Sequence, residues 1–389
     1  MTAVDDPASA GGSQSSPRSP WSRSPSPHPS SPHTSSLCPV APFPVEVPYR
    51  TRADLARLEG PAFPRLPDDD ALRALKARAL RERPERIRVP DPGRGADAVA
   101  ADVAVTLPRI AELRPDVIRP ADLETDLAGN LETERAGDLV PAASTIVTDV
   151  HGRAWAFPAL GPEAAEALRA CPPATRAADA LALSLPDDLA WMRDDGAAGR
   201  ASLLHVSFPS HWAPDARAGA SLAELHGPVA DGEALRAASA ALMRAIVRKG
   251  PFRRWVWSVQ ATPALDLHPQ ARTEGDDGAA PAPIGSEGSE GSEGVLASAW
   301  FRVERQTTVP FPEAGLALFA IRIQVTPLAQ VLDERPGRAA RLGASIRSMS
   351  AGARRYKGLV GADALLEALD RRAEGEAEAQ ADAERSAEG

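Results

Sequence analysis

The sequence predicts an α+β fold in which helices cover an antiparallel sheet. Three observations carry that reading. Apolar residues recur at helical spacing in some stretches, short apolar or alternating runs mark strands in others, and the last two strands are separated by a short turn that makes them a hairpin.

Taken in order, helical patterns run over Asp70–Glu82, Ala98–Leu113 and Gly232–Lys249, the last with Leu235, Leu242, Met243 and Ile246 on one face. Ser202–Phe208 is a short apolar strand. Arg254–Gln260 alternates, with Trp255, Trp257 and Val259 on one side of the strand. Ala297–Arg305 alternates as well, and Leu316–Val325 is a long apolar run that the turn around Pro310–Gly315 folds back on its predecessor.

The flanks read differently. Of the first 36 residues 19 are Ser or Pro, a composition that cannot bury enough surface to offset ordering entropy, so residues 1–45 are expected to form a disordered tail. Arg272–Gly294 ends in a triple Ser-Glu-Gly repeat and reads as a flexible insert within one domain, residues 46–372, because strand signals flank it on both sides. Residues 373–389 hold six acidic side chains and one Arg, which predicts a helix end fraying into an acidic tail.

Of the 389 residues, 44 are Lys or Arg and 53 are Asp or Glu, for a net charge of −9. That balance excludes a general nucleic-acid backbone binder, which needs a basic face. Cys38 and Cys171 are too few for a disulfide framework or an iron–sulfur cluster. No apolar run spans a membrane and no basic-then-apolar leader opens the chain, so a soluble cytoplasmic protein is expected.

Reactive side chains concentrate in the middle. His205, His211 and His226 fall within 22 residues, but their spacings of six and fifteen fit no helical pair of ligands, leaving a zinc site, a single ligand or a structural role open. His226 follows a short helical stretch and precedes Gly227-Pro228, which stops the helix and fixes where the imidazole emerges. A lone axial ligand to haem iron requires no more than that. Along Phe301–Thr307, alternation puts Arg302, Glu304 and Gln306 on one face and Val303 and Arg305 on the other. Such a polar strand is either a solvated face with cross-strand pairs or one wall of a pocket for propionates or a charged substrate. Arg254, next to Trp255 and Trp257, either holds a carboxylate or lies over the sheet. Gly93 and Gly95 lack the third glycine of a dinucleotide loop, and Ser210 lacks the flanking glycines of a hydrolase nucleophile.

The strings Phe208-Pro-Ser-His-Trp212, Leu225-His-Gly-Pro-Val229, Arg254-Trp-Val-Trp257, Arg302-Val-Glu-Arg-Gln-Thr307 and Tyr356-Lys-Gly-Leu359 resemble, in order and spacing, the haem-dependent oxidative N-demethylase family, which includes dimethylamine monooxygenase. The resemblance covers roughly residues 46–370, interrupted by the insert. It implies haem b in a PAS-like domain, with O2 used to oxidise an N-methyl group of a small secondary amine and release formaldehyde. It also implies electrons from NADPH through FMN and iron–sulfur partner subunits, in keeping with the scarcity of cysteine and the missing dinucleotide loop. On this reading His226 is the proximal ligand, and Arg254, Arg302 or Arg305 pairs with the propionates. Glu304, with Arg305 beside it, meets the amine or relays protons, and Trp255 or Trp257 offers an aromatic face. Two departures from the family pattern, Val256 in place of Asn and Thr308-Val-Pro310 in place of a Leu and a basic residue, bear on substrate choice. The alternative is a PAS-like haem- or ligand-binding module without turnover.

Overall fold

The computed structural model describes residues 40–122, 126, 145–158, 160–197, 199–270, 284 and 291–388. Residues 1–39 of the expected tail, and most of the expected insert, lie outside the described residues.

The described strands, in chain order, are β1 (Ala56–Arg57), β2 (Arg88–Pro90), β3 (Arg119–Pro120), β4 (Thr145–Thr148), β5 (Ala154–Phe157), β6 (Asp188–Arg193), β7 (Arg200–His205), β8 (Phe252–Gln260), β9 (Trp300–Phe311) and β10 (Leu316–Pro327). They build a large sheet in the order β1-β8-β9-β10-β6-β7-β2 and a small one in the order β3-β5-β4. Every pairing is antiparallel, so the α+β class with an antiparallel sheet is what the chain adopts.

The hairpin closes as its turn predicts. β9 and β10 pair from Phe311 opposite Leu316 to Trp300 opposite Pro327, and Gly315 takes φ 64° at the turn, a left-handed conformation that a side chain would strain. Elsewhere the boundaries differ from expectation. Ala297 and Ser298 end a helix, Gly291–Ser298, instead of opening β9. That helix packs Val295 and Leu296 with Ile284 into a core, so the end of the expected flexible insert is tied down. The expected helix Gly232–Lys249 is two helices, Glu233–Ala237 and Ser239–Lys249. Ordered chain begins before residue 46: Ala41 and Val45 are buried and Phe43 stacks on Phe301 with centroids 5.6 Å apart. At the other end the acidic stretch is helical to Glu388, the continuation of a helix that begins at Asp363.

The two faces of the large sheet have separate tasks. On one face Leu189, Trp191, Leu203 and Leu318 pack against helices Asp69–Glu82, Ala96–Leu113 and Arg176–Ser184. Farther along that face Trp257, Phe301 and Val303 pack against the C-terminal helices, through Leu342, Ile346, Leu365 and Leu369. The opposite face is only partly filled. Ala190, Met192, Leu204 and Ala317 meet Leu222, Met243, Ile246 and Val247 from above, and the remaining space is a cavity.

Candidate functional site

The cavity encloses about 790 Å³, within the range of roughly 300–1,000 Å³ typical of small-molecule and cofactor sites. Its floor is the second face of the sheet, apolar at one end through Met192, Leu204, Phe319 and Ile321 and polar at the other through Arg254, Arg302, Glu304 and Gln306. Register produces the polar end: Arg254 pairs with Gln306, Val256 with Glu304 and Ser258 with Arg302, and side chains at alternate positions share one face. Leu222, Leu225, His226 and Ile246 form the roof, and the segment 43–56, Tyr49 and Asp54 among it, forms a third wall.

Local sequence fixes His226. Ser221 and Glu224 make a reciprocal capping box: the Glu224 N–H donates to Ser221 Oγ at 3.2 Å and the Ser221 N–H donates to Glu224 Oε2 at 2.8 Å. The helix they start, Leu222–Leu225, lasts one turn and leaves His226 at its C-cap. Nδ1 of His226 lies 2.7 Å from the Leu222 carbonyl oxygen, which can only accept, so Nδ1 carries the hydrogen and Nε2 keeps its lone pair. Burial pushes the imidazole below the usual histidine range, assisted by the Arg254 charge and opposed by the Leu222 bond. A neutral imidazole oriented by a carbonyl is the donor that iron takes.

Arg254 projects from β8 into the same space. Its Nε is shielded from solvent and has no hydrogen-bond partner, and among the described residues its guanidinium forms no ion pair. Burial lowers its basicity, while Glu304 and Asp54 oppose that shift. A partly buried guanidinium whose Nε has no partner is costly unless an anion meets it.

Arg302 is differently placed. Its Nε donates to Ser210 Oγ at 2.9 Å, Nη1 to the Leu265 carbonyl at 2.9 Å and Nη2 to the Phe208 carbonyl at 2.8 Å, so it ties the loop around Phe208–Ser210 to β9. Glu304 accepts from Ser210 Oγ at Oε1 and from Gln306 Nε2 at Oε2, the latter at 2.8 Å. Lys357, buried, donates to the Trp257 carbonyl, and its ammonium sits 5.1 Å from the Trp257 ring and 5.2 Å from the Tyr49 ring. Burial lowers Lys357 to about 8.

Of the predicted site residues, Arg305 stands elsewhere, and Trp257 lines the cavity with its ring already engaged. Arg305 belongs to the opposite face of β9 and does not line the cavity. It is buried, donating to the Ala62 and Pro61 carbonyls at 2.8 Å each, because a one-residue step along a strand reverses the side-chain direction. The Trp257 ring is taken up by the protein, stacked on Phe301 at 5.9 Å with Lys357 as its cation. His205 is fully buried with Nε2 3.3 Å from Asp179, and no group of three His, Cys, Asp or Glu side chains suited to a metal forms among the described residues. The three-histidine zinc arrangement is therefore absent from them. Sequence reasoning missed the wall at 43–56. The period-2 apolar positions Phe43, Val45, Val47 and Tyr49 were the available signal, masked by the surrounding prolines.

Five strings scattered from residue 208 to 359 thus meet around one cavity through Ser210, His226, Arg254, Glu304 and Lys357. The family model for haem-dependent oxidative N-demethylase, alpha subunit-like, matches residues 152–365, more than half of the chain. The chain belongs to this family. No curated protein matches it. Within this alpha subunit-like chain the matched span contains the roof, the floor and Lys357, whereas the wall at 43–56 lies outside it. No helix among the described residues is long and apolar enough to cross a membrane.

Proposed function

We propose that the chain is the haem-binding subunit of a monooxygenase that oxidatively N-demethylates a small secondary amine, in a PAS-like domain, with electrons supplied by flavin and iron–sulfur partner subunits from NADPH. The observation that carries this reading is the pairing, in one cavity, of a neutral histidine whose Nε2 lone pair is free with a partly buried guanidinium that lacks an anion. These are two protein groups suited to haem b: an axial nitrogen and a cation for its propionates. His226 would hold the iron and Arg254 a propionate, whereas Arg302 is already engaged by two carbonyls and Ser210. Bound there, haem supplies oxygen activation and one-electron chemistry.

The chain's own side chains do the rest. Met192, Leu204, Phe319, Leu222 and Ile246 keep water from the apolar end. Glu304, a carboxylate at the polar end, receives the ammonium of the amine and takes its proton. Val256, opposite Glu304, presents an apolar surface to an alkyl group.

An absorption spectrum of reconstituted protein, oxidised and then reduced under carbon monoxide, tests the proposal. A Soret band that shifts on reduction and is lost or altered in His226→Ala is expected. Absence of any Soret band after reconstitution overturns it.

A further inference from the structure

We infer that Ser210 is the positioning residue of the Glu304 carboxylate, holding it apart from its cationic neighbours so that it stays open to an ammonium in the cavity. The inference rests on the proposed amine chemistry and deepens it.

Hydrogen-bond polarity carries the argument. A guanidinium N–H can only donate, so Ser210 Oγ accepts from Arg302 Nε at 2.9 Å. The single hydroxyl proton of Ser210 is then directed to Glu304 Oε1. Gln306 Nε2 donates to the other oxygen at 2.8 Å. Each carboxylate oxygen is held by one neutral donor and keeps further lone pairs, and Glu304 lines the cavity. Arg302 is itself fixed by the Phe208 and Leu265 carbonyls, so the orientation of Glu304 is inherited from the backbone.

What this arrangement prevents is as informative. The charges of Arg254 and Lys357 both act on Glu304, yet among the described residues Glu304 forms no ion pair with either. Without the Ser210 hydroxyl, one oxygen of Glu304 loses its donor and Arg302 Nε loses its acceptor. The carboxylate is then drawn toward the freed Arg302 Nε, Arg254 or Lys357, and a neutralised carboxylate no longer recruits an amine.

The test uses the full chain and two readouts. Dimethylammonium chloride is titrated by calorimetry, and the Gln306 side-chain amide is followed by NMR, assigned through its loss in Gln306→Leu. Ser210→Ala is expected to weaken dimethylammonium binding about tenfold, the worth of one hydrogen bond to a charged group, and to move the Gln306 signals. Ser210→Thr, which keeps the hydroxyl, restores both. Unchanged Gln306 signals in Ser210→Ala overturn the inference, as does unchanged dimethylammonium affinity where wild type binds it better than Glu304→Gln does. If wild type binds no better than Glu304→Gln, the amine reading fails separately, and a moved Gln306 signal still supports the positioning role.

Discussion

His226 donates from Nδ1 to the Leu222 carbonyl oxygen across 2.7 Å, four residues back on the same helical turn, which leaves Nε2 as the free nitrogen. Burial also holds the ring below its ordinary value. As pH falls through about 6.5, the unfolded chain takes up a proton that the folded chain resists, so folded stability is present above that pH and declines below it. A proton on Nε2 also competes with iron. Haem retention, followed by Soret absorbance as pH is lowered from about 8 to 5, is therefore expected to fall below about 6.5. Retention that falls in the same way in His226→Ala would show that the loss does not come from protonation of His226.

Arg254 gives a prediction of opposite signs. Without a bound anion, the desolvation of its partly buried guanidinium outweighs the attraction of Glu304 and Asp54, so Arg254→Met should raise the melting temperature of the haem-free protein, by about 2 °C for each kcal/mol relieved. The same change should weaken haem binding roughly 10- to 100-fold, because a charge-assisted bond to a propionate is lost. Calorimetric melting and haem titration of one variant check both signs. A variant that lowers both or neither would remove Arg254 from the propionate site.

Period-2 alternation made much of the polar wall legible. It places Arg302, Glu304 and Gln306 together, and the β8–β9 register then brings Arg254 beside them. The same alternation sets Arg305 with Val303 on the far face, so the error lay in valuing residue type above direction. β6 escaped because Asp188–Met192 is buried on both faces and shows no alternation, and its opening Asp resembles a turn residue. Ser210 lies in one of the five resembling strings, but nothing in that string showed its role. Its role comes from Arg302 and Glu304, some 90 residues away, and only tertiary structure fixes which of them it serves.

Arg302 and Arg305 separate site from scaffold. Both are buried and both donate to main-chain carbonyls, so replacing either by Lys, a single point donor in place of a fork, should cost about 2–3 kcal/mol in urea unfolding. Only Arg302→Lys disturbs Ser210 and Glu304, and only it should also weaken dimethylammonium binding. Arg305→Lys should leave haem and amine affinities at wild-type values. Loss of haem affinity in Arg305→Lys would contradict the separation of the two faces of β9.

Lys357 supplies a test at high pH. Its ammonium is lowered by burial to about 8 from the ordinary 10.5, so between these values the unfolded chain holds a proton that the folded chain has released. Burial of the charge therefore costs stability fully below about 8, and the cost fades as pH rises toward 10.5. Lys76 is lowered to about 8 and Cys171 raised to about 12, and both titrate alike in wild type and in Lys357→Met, so they cancel in the difference. The stability of Lys357→Met relative to wild type should accordingly be greatest at about pH 7 and decline steadily to about pH 10, as urea midpoints at intervals would record. A difference that stays constant with pH would mean that Lys357 keeps its proton, held by the Trp257 carbonyl and by the Tyr49 and Trp257 rings.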